Sequence, residues 1–261
     1  MNLSLDGKTA VVCGSTQGIG LAIAEELALL GANCILVARN ENALQDVLPK
    51  LDSSNRQLHS YAVADFNDPS KVKAAIDEIV QTNTVHILIN NTGGPPAGAI
   101  VNAVPEEFQI AFNQHLVCNH ILTSAVVPGM KAAGYGRIIN IISTSVKIPL
   151  KNLGVSNTIR GAVASWAKTM ANELGQFNIT VNNILPGSTR TQRLASIIAN
   201  TATKKQAAEA EVEKEMQEEI PMKRFAEPSE VANVAAFLAS PAASYVNGVS
   251  IPVDGGRTGS I

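Results

Sequence analysis

Three features are scarce in this sequence: excess charge, long apolar runs and cysteine. The 20 Lys and Arg residues nearly balance the 22 Asp and Glu residues, which gives a formal net charge of −2. This balance disfavours a surface for nucleic acid or for an anionic membrane. No uninterrupted apolar run reaches the roughly 20 residues that a membrane-spanning helix needs, so we do not expect a transmembrane protein.

The cysteines and the first residues indicate the compartment. Cys13, Cys34 and Cys118 lie far apart, each within an apolar run. This placement favours buried free thiols in a reducing cytoplasm over a disulfide or a metal site. Residues 1–6 contain neither a basic segment nor a long apolar core, so a signal peptide is not expected. The sequence therefore predicts a cytoplasmic protein without a metal.

The chain alternates between two kinds of segment. With 261 residues, of which 46% are hydrophobic, it can form one large domain, 1–261. Short apolar runs alternate with amphipathic helical runs, which predicts an α/β fold with a doubly wound, parallel, seven-stranded sheet and helices on both faces. The strand-like runs cover residues 9–12, 34–37, 60–63, 86–89, 138–142, 179–184 and 249–252. The helical runs cover residues 19–30, 116–133 and 157–174, and others begin at Asp68, Pro105 and Glu227.

A glycine-rich turn joins the first strand to the first helix. Three glycines within seven residues place bare backbone N–H groups at the positive end of a helix, which is a favourable place for a phosphate. The first permits the tight turn, the second lets a diphosphate approach, and the third lets helix and strand pack closely. An ordinary tight turn is the alternative interpretation. The turn consists of Gly14, Ser15, Thr16, Gln17, Gly18, Ile19 and Gly20.

Residues 193–220 interrupt the alternation because they are rich in charge and alanine. One interpretation is a solvated helix pair. The other is a mobile helical lid beside a substrate site, since long insertions in compact domains are often functional.

Four short motifs follow one another along the chain, at residues 13–20, 90–94, 181–191 and 253–256. They resemble, in the same order, those of the short-chain dehydrogenase/reductase family, and the resemblance covers residues 5–257. The resemblance implies a Rossmann fold, hydride transfer between a nicotinamide and a carbonyl or alcohol, and a homotetramer with the last strand and its neighbouring helix at one interface. The motifs place Asn91, Gly93, Pro186, Gly187 and Thr191 in the cofactor site, with Thr191 against the nicotinamide carboxamide.

The residues after the second strand bear on the choice of cofactor. An NAD enzyme places an acid there to bind the ribose hydroxyls. Ala38 occupies that place, and Arg39 follows with a fork of donors suited to a 2′-phosphate. We therefore expect NADP(H), although Arg39 is also consistent with an ordinary exposed arginine. Asp65 resembles the family aspartate that meets the adenine amino group, or it is a turn residue.

The catalytic positions of the family are largely replaced. Ser143 keeps the family serine, but Ser156 stands in the tyrosine place, Arg160 in the place of the lysine that binds the nicotinamide ribose, and His115 in the asparagine place. A serine hydroxyl donates a proton far less readily than a phenol, whose pKa is roughly 10. Arg160 supplies positive charge but cannot relay a proton.

Either another group donates the proton, or the protein does not perform this redox step. Lys147 is the first candidate, because Arg160 and a nicotinamide would lower the pKa of its ammonium; an exposed loop lysine is the alternative. His115 is expected to titrate near neutrality and could relay a proton, unless it is bonded within its helix. Ser143 and Ser156 could bind the carbonyl, or serve only as cap and turn residues.

Two further motifs resemble a divergent subset of the family, commonly labelled 3-oxoacyl-carrier-protein reductase-like, that lacks the Tyr-x-x-x-Lys pair. They are Ser145-Val146-Lys147-x-Pro149 and Ser156-Asn157-x-x-Arg160. The expected function is an NADP(H)-dependent oxidoreductase acting on a small carbonyl or alcohol substrate. A catalytically inactive dinucleotide sensor or scaffold, or a lyase or isomerase with bound cofactor, are the alternatives. Residues 92–104, 143–155 and 188–220 would line the substrate pocket.

Overall fold

All seven apolar runs form β-strands. The computed structural model describes residues 1–260. Every strand pairs in parallel with its neighbours, in the order β3-β2-β1-β4-β5-β6-β7, so the predicted seven-stranded parallel sheet is confirmed. The strands are β1 Thr9–Cys13, β2 Asn33–Ala38, β3 Ser60–Val63, β4 Ile87–Asn90, β5 Gly136–Ile141, β6 Ile179–Pro186 and β7 Ser250–Val253.

Helices connect the strands and cover both faces of the sheet. Successive strand residues point to opposite faces, so Val12 packs in a cluster with Ile23 and Val231, while Val11 packs in a second cluster with Ile76 and Leu122. The sequence analysis missed only the short helix α2. The helices are α1 Gly18–Leu29, α2 Glu41–Val47, α3 Pro69–Thr82, α4 Pro105–Phe112, α5 Cys118–Ala133, α6 Gly154–Leu174, α7 Gln192–Lys205, α8 Glu209–Glu218 and α9 Pro228–Ala239.

The strand order reverses at β1, which pairs with β2 on one side and with β4 on the other. Loops that leave the carboxyl ends of β1 and β4 therefore diverge and open a crevice, the usual ligand position in such sheets. The glycine turn follows β1, and residues 91–104 follow β4. The fold thus places both predicted cofactor motifs at this crevice.

A ladder of buried amides crosses the carboxyl half of the sheet. Asn90 Nδ2 donates to Asn140 Oδ1 at 2.9 Å, and Asn140 Nδ2 donates to Asn183 Oδ1 at 2.9 Å. Asn183 Nδ2 continues the ladder to Ser250 Oγ at 3.1 Å. These four residues occupy matching register positions on β4, β5, β6 and β7. The ladder fixes the relative positions of the strand ends that carry the crevice loops.

One helical stretch departs from the expected pattern. Residues Asn113–Val117 form a π-helical segment that joins α4 to α5 without a break in the right-handed helical backbone. The sequence predicted two separate helices here, one that begins at Pro105 and one over residues 116–133. A π segment adds one residue to a turn and is frequent at functional sites. It carries His115, which is buried.

Residues 193–220 fold into the helix pair α7 and α8. They have a small apolar cluster of their own, apart from the two clusters on the sheet. Its buried members are Leu194, Ile198, Ala202, Val212, Ile220 and Phe225. All three cysteines are buried free thiols, as expected. Within residues 1–260, no helix combines the length and apolar character needed to cross a bilayer.

Candidate functional site

The glycine turn after β1 is tightly packed. Gly14 and Gly18 adopt φ angles of +59° and +57°, which side chains rarely tolerate. A Cβ on Gly14 would lie 2.6 Å from the carbonyl oxygen of Asn91, and one on Gly20 would lie 2.1 Å from that of Gly14. The tight turn at Gly14 and the close packing at Gly20 therefore have a steric basis.

The first turn of α1 is open to an anion. Gln17 occupies the N-cap without a side-chain capping bond, and the first turn carries no acid. Ser15, beside it, has a fully buried hydroxyl oxygen with no hydrogen-bond partner in the protein. An uncapped helix N-terminus next to an orphaned hydroxyl suits a phosphate group. Thr16 and Ile19 complete this turn, and the residues present fit the diphosphate of a dinucleotide.

Asn91 clamps the turn from the end of β4. Its Nδ2 donates to the carbonyl oxygens of Cys13 and Gly14 at 3.2 and 3.3 Å. Gly93, two residues on, is exposed, and a Cβ there would meet no atom within 4 Å. Asn91 thus fixes the shape of the turn, while Gly93 leaves open backbone beside it.

Arg39 and Asp65 lie at the ends of β2 and β3. Arg39 is exposed and forms no hydrogen bond or salt bridge among residues 1–260. Asp65 Oδ1 accepts bonds from the backbone and side-chain N–H groups of Asn67 at 3.0 and 2.7 Å. The backbone N–H of Asn67 lowers the pKa of the Asp65 carboxyl, and the charge of Arg39 acts in the same direction. The turn role of Asp65 is present, and its second carboxylate oxygen remains available.

Thr191 lies against the glycine turn from the opposite side. Its Cγ2 is 3.1 Å from the point that a Cβ on Gly18 would occupy. Its hydroxyl donates to the carbonyl of Thr189 at 3.2 Å and accepts from the N–H of Leu194 at 3.3 Å, so Thr191 also caps α7. A cleft of about 650 Å³ runs between the start of α1 and α7 at this contact.

Pro186 and Gly187 shape the end of β6. Pro186 is the last residue of the strand. A Cβ on Gly187 would lie 2.7 Å from Cβ of Asp254, and the Gly187 N–H donates to the carbonyl of Val253. Their contribution to the predicted site is therefore the close approach of the C-terminal segment to the crevice.

Ser143 and Arg160 meet at the carboxyl end of β5. Ser143 caps a short 3₁₀ turn, and its Oγ accepts from the N–H of Ser145 at 3.1 Å, which leaves its own proton free. Arg160 is 7% exposed, and its Nη1 donates to the carbonyl of Ile141 at 3.2 Å. Burial, followed by the charge of Arg193, lowers the pKa of Arg160 to about 10. Ser156 lies one turn earlier on α6 and is half-buried.

His115 belongs to the same cluster, but its expected titration near neutrality is wrong. Burial, followed by the charge of Arg160, lowers its pKa to about 2, so the imidazole is neutral at physiological pH. Nδ1 shares a hydrogen bond of 2.5 Å with Oγ1 of Thr92, and Nε2 is buried without a partner. The neutral ring can still accept or donate one hydrogen bond at Nε2.

Lys147 is placed less favourably than the other candidates. It is exposed at the end of the 3₁₀ turn that begins after Ser143, and its side chain forms no hydrogen bond or salt bridge within residues 1–260. The structure therefore brings together Ser143, Arg160, His115 and Thr92, with Ser156 on the same helix as Arg160. Lys147 lies at the exposed edge of this cluster.

One residue near this cluster was missed by sequence reasoning. Arg193, on the first turn of α7, donates from Nη2 to the carbonyl of Pro95 at 2.7 Å. A Cβ on Gly94 would lie 3.7 Å from this Nη2 and 3.8 Å from Nη2 of Arg160. The two guanidinium groups thus converge on one glycine. Only the packing of α7 against residues 91–104 could reveal this.

The comparisons with known proteins show which proteins this chain is similar to. A family model described as Enoyl-(Acyl carrier protein) reductase matches residues 14–258. The chain is similar to 7alpha-hydroxysteroid dehydrogenase of Escherichia coli, at 33% identity over 262 residues, covering 98% of this chain and 96% of that protein. It is similar to the NADPH-dependent reductase BacG of Bacillus subtilis, at 31% identity over 256 residues, covering 97% and 99%. The crystal structure of L-sorbose reductase from Gluconobacter frateurii, complexed with NADPH and L-sorbose, superposes with a TM-score of 0.94 at 32% identity, covering 100% of both chains.

Proposed function

Because the chain belongs to the short-chain dehydrogenase/reductase family, we propose that it is an oxidoreductase that interconverts a carbonyl group and an alcohol with NADP(H) as cofactor. The observation that carries the proposal is the open first turn of α1, with the orphaned hydroxyl of Ser15, at the same crevice as Ser143. Relatives and structural neighbours that are named as reductases or dehydrogenases, two of them with NADPH, support it.

The residues that would hold the cofactor follow from their positions. The backbone N–H groups of residues 14–20 would take the diphosphate. The unpaired guanidinium of Arg39 would bind the 2′-phosphate, and Asp65 would face the adenine. Thr191 and Arg160 would hold the nicotinamide end. When bound, the nicotinamide supplies or accepts the hydride.

Ser143 and Arg160 would act on the carbonyl oxygen. The Ser143 hydroxyl accepts from Ser145, so its O–H can donate to the substrate oxygen. Arg160 would stabilise negative charge there, since a buried guanidinium interacts strongly with charge in a site of low dielectric. Ser156 offers a second O–H one helical turn away.

The proton source follows by elimination among the five candidates. Ser143 and Ser156 carry hydroxyls that are poor acids, Arg160 retains its proton, and His115 is neutral with a pKa of about 2. The ammonium of Lys147 is the remaining candidate, and it carries three N–H donors. We therefore propose Lys147 as the proton donor, with its side chain extending inward from the edge of the cluster. His115 would bridge Thr92 and the substrate site through hydrogen bonds at its two ring nitrogens.

Two measurements test this function. Isothermal titration calorimetry should show binding of NADPH, and NADPH oxidation should occur with members of a panel of ketones and aldehydes. Lys147→Ala should lower kcat by at least about tenfold, the lower end of typical acid–base effects, while NADPH affinity stays constant. Lys151→Ala, which removes an exposed lysine of the same loop, is the control. Absence of NADPH binding would refute the proposal.

A sensor or scaffold that binds NADP(H) without turnover is the second candidate. The observation that favours it is the replacement of three of the four catalytic side chains of the family, at Ser156, Arg160 and His115. It predicts NADPH binding with no oxidation across the carbonyl panel. Reproducible turnover would exclude it.

Several finer features belong to the same proposal. The resemblance to the subset without the Tyr-x-x-x-Lys pair makes a 3-oxoacyl thioester the first substrate to test. The separate apolar cluster of α7 and α8 supports a lid formed by residues 193–220 within a single domain, 1–261. The fully exposed Tyr245 and the exposed Val249 before β7 support a homotetramer contact there. Three buried free thiols support a cytoplasmic location.

A further inference from the structure

Arg160 and Arg193 form a pair of positive charges without a counter-ion. Arg160 is 7% exposed and uses one of its five N–H groups, toward the carbonyl of Ile141. Arg193 donates to the carbonyl of Pro95. Within residues 1–260, no carboxylate forms a salt bridge with either guanidinium. Burying one guanidinium and placing a second beside it is unfavourable unless an anion joins them.

The two side chains leave room for that anion. Both Nη2 atoms lie within 4 Å of the position that a Cβ on Gly94 would take, at 3.7 and 3.8 Å. Gly94 has no side chain to fill this point. Guanidinium groups bind planar oxyanions through paired N–H donors, and a carboxylate matches that spacing.

The position of the pair assigns the anion to the substrate. The dinucleotide phosphates have their own donors in the turn at residues 14–20 and at Arg39. Arg160 instead bonds to Ile141, two residues before Ser143, and Arg193 comes from α7 on the lid. We propose that Arg160 and Arg193 together bind a carboxylate group of the substrate, so that the protein acts on oxo acids and hydroxy acids. This rests on the proposed function, because it names the substrate class of the same site. It also departs from a neutral 3-oxoacyl thioester.

The test compares charged and neutral probes on the NADPH-loaded protein. Short-chain oxo acids and their methyl esters are titrated by calorimetry and assayed by NADPH oxidation, together with an N-acetylcysteamine 3-oxoacyl thioester. At least one oxo acid should bind roughly tenfold to hundredfold more tightly than its ester, because charge-assisted hydrogen bonds have about that effect. In Arg193→Met this preference should disappear.

The controls separate the sources of the effect. Lys204→Gln removes one positive charge from the exposed end of α7, about 16 Å along the helix from Arg193, and should keep the preference. Gly94→Asp supplies a carboxylate within the protein, and Gly94→Ala puts a methyl group at the point between the two Nη2 atoms, so both should weaken oxo-acid binding.

Three results would overturn the inference. Esters or the thioester binding as well as the acids would show that no carboxylate is recognised. No binding of any oxo acid would have the same meaning. If Arg193→Met lowered the affinity for NADPH by the same factor as the affinity for the oxo acids, the arginine pair would be assigned to a cofactor phosphate. In each case NADPH binding to the wild-type protein would leave the proposed function standing, whereas its absence would refute that function separately.

Discussion

At the scale of the residue, His115 links the site to the stability of the fold. Its folded pKa of about 2 lies far below the ordinary value of about 6.5, because burial and the charge of Arg160 disfavour the imidazolium. Between these values the unfolded chain binds a proton that the folded protein does not. The free energy of unfolding therefore falls as the pH is lowered through about 6.5, and it should drop by about 2 kcal/mol between pH 7 and pH 5 from this group alone.

His115→Asn should remove this part of the pH dependence, since an amide can keep the bond to Thr92 without titrating. Urea unfolding of both proteins at several pH values would measure it, and other titrating groups cancel in the difference. His120→Asn, which removes an exposed histidine from α5, should leave the wild-type profile in place. If the free energy of unfolding changed with pH by the same amount in wild type and in His115→Asn, His115 would not be the source of this pH dependence.

At the scale of the element, the amide ladder holds strands β4, β5, β6 and β7 in register. Asn140 is fully buried, accepts from Asn90 and donates to Asn183. Asn140→Ala would leave a buried donor and a buried acceptor unpaired, at about 1–3 kcal/mol each. Equilibrium urea unfolding should therefore show a loss of roughly 2–5 kcal/mol.

Ser250→Ala is the graded control for this ladder. Ser250 accepts only from Asn183 and lies half-buried on the edge strand β7, so its loss should cost about 1 kcal/mol. If Asn140→Ala and Ser250→Ala lowered the free energy of unfolding equally, the central position of Asn140 in the ladder would carry no extra stability. A loss of NADPH affinity in Asn140→Ala alone would show that the strand ends also set the crevice.

The elements also show how much of the fold can be predicted from the sequence. All seven strands follow from short runs rich in apolar residues, and the central strands β1, β2, β4 and β5 are buried on both faces, which favours such runs. The glycine turn follows from local sterics. The ladder does not, since asparagines 50 and 43 residues apart meet only through strand register. The π segment at residues 113–117 and the pairing of Arg193 with Arg160 likewise depend on packing between distant segments.

At the scale of the whole molecule, cofactor binding should couple the two halves of the sheet. Arg39 follows β2 on one side of the switch point, while Ser143 and Arg160 lie on the other, beyond β4. A ligand that binds only the folded state stabilises it by about 2.7 kcal/mol at a concentration of 100 Kd. For a protein of this size, that raises Tm by roughly 5–10 °C.

Arg39→Gln isolates the part of this stabilisation that comes from the 2′-phosphate. The exposed guanidinium has no partner among residues 1–260, so its removal should leave the free protein nearly unchanged. The charge-assisted bonds to the phosphate contribute about 1.5–3 kcal/mol, so NADPH affinity should fall roughly tenfold to hundredfold while NADH affinity stays constant. Thermal shifts with each dinucleotide would measure both. Arg56→Gln, a change at another exposed arginine outside the crevice, should keep the wild-type preference. Equal losses for NADPH and NADH in Arg39→Gln would place the 2′-phosphate elsewhere.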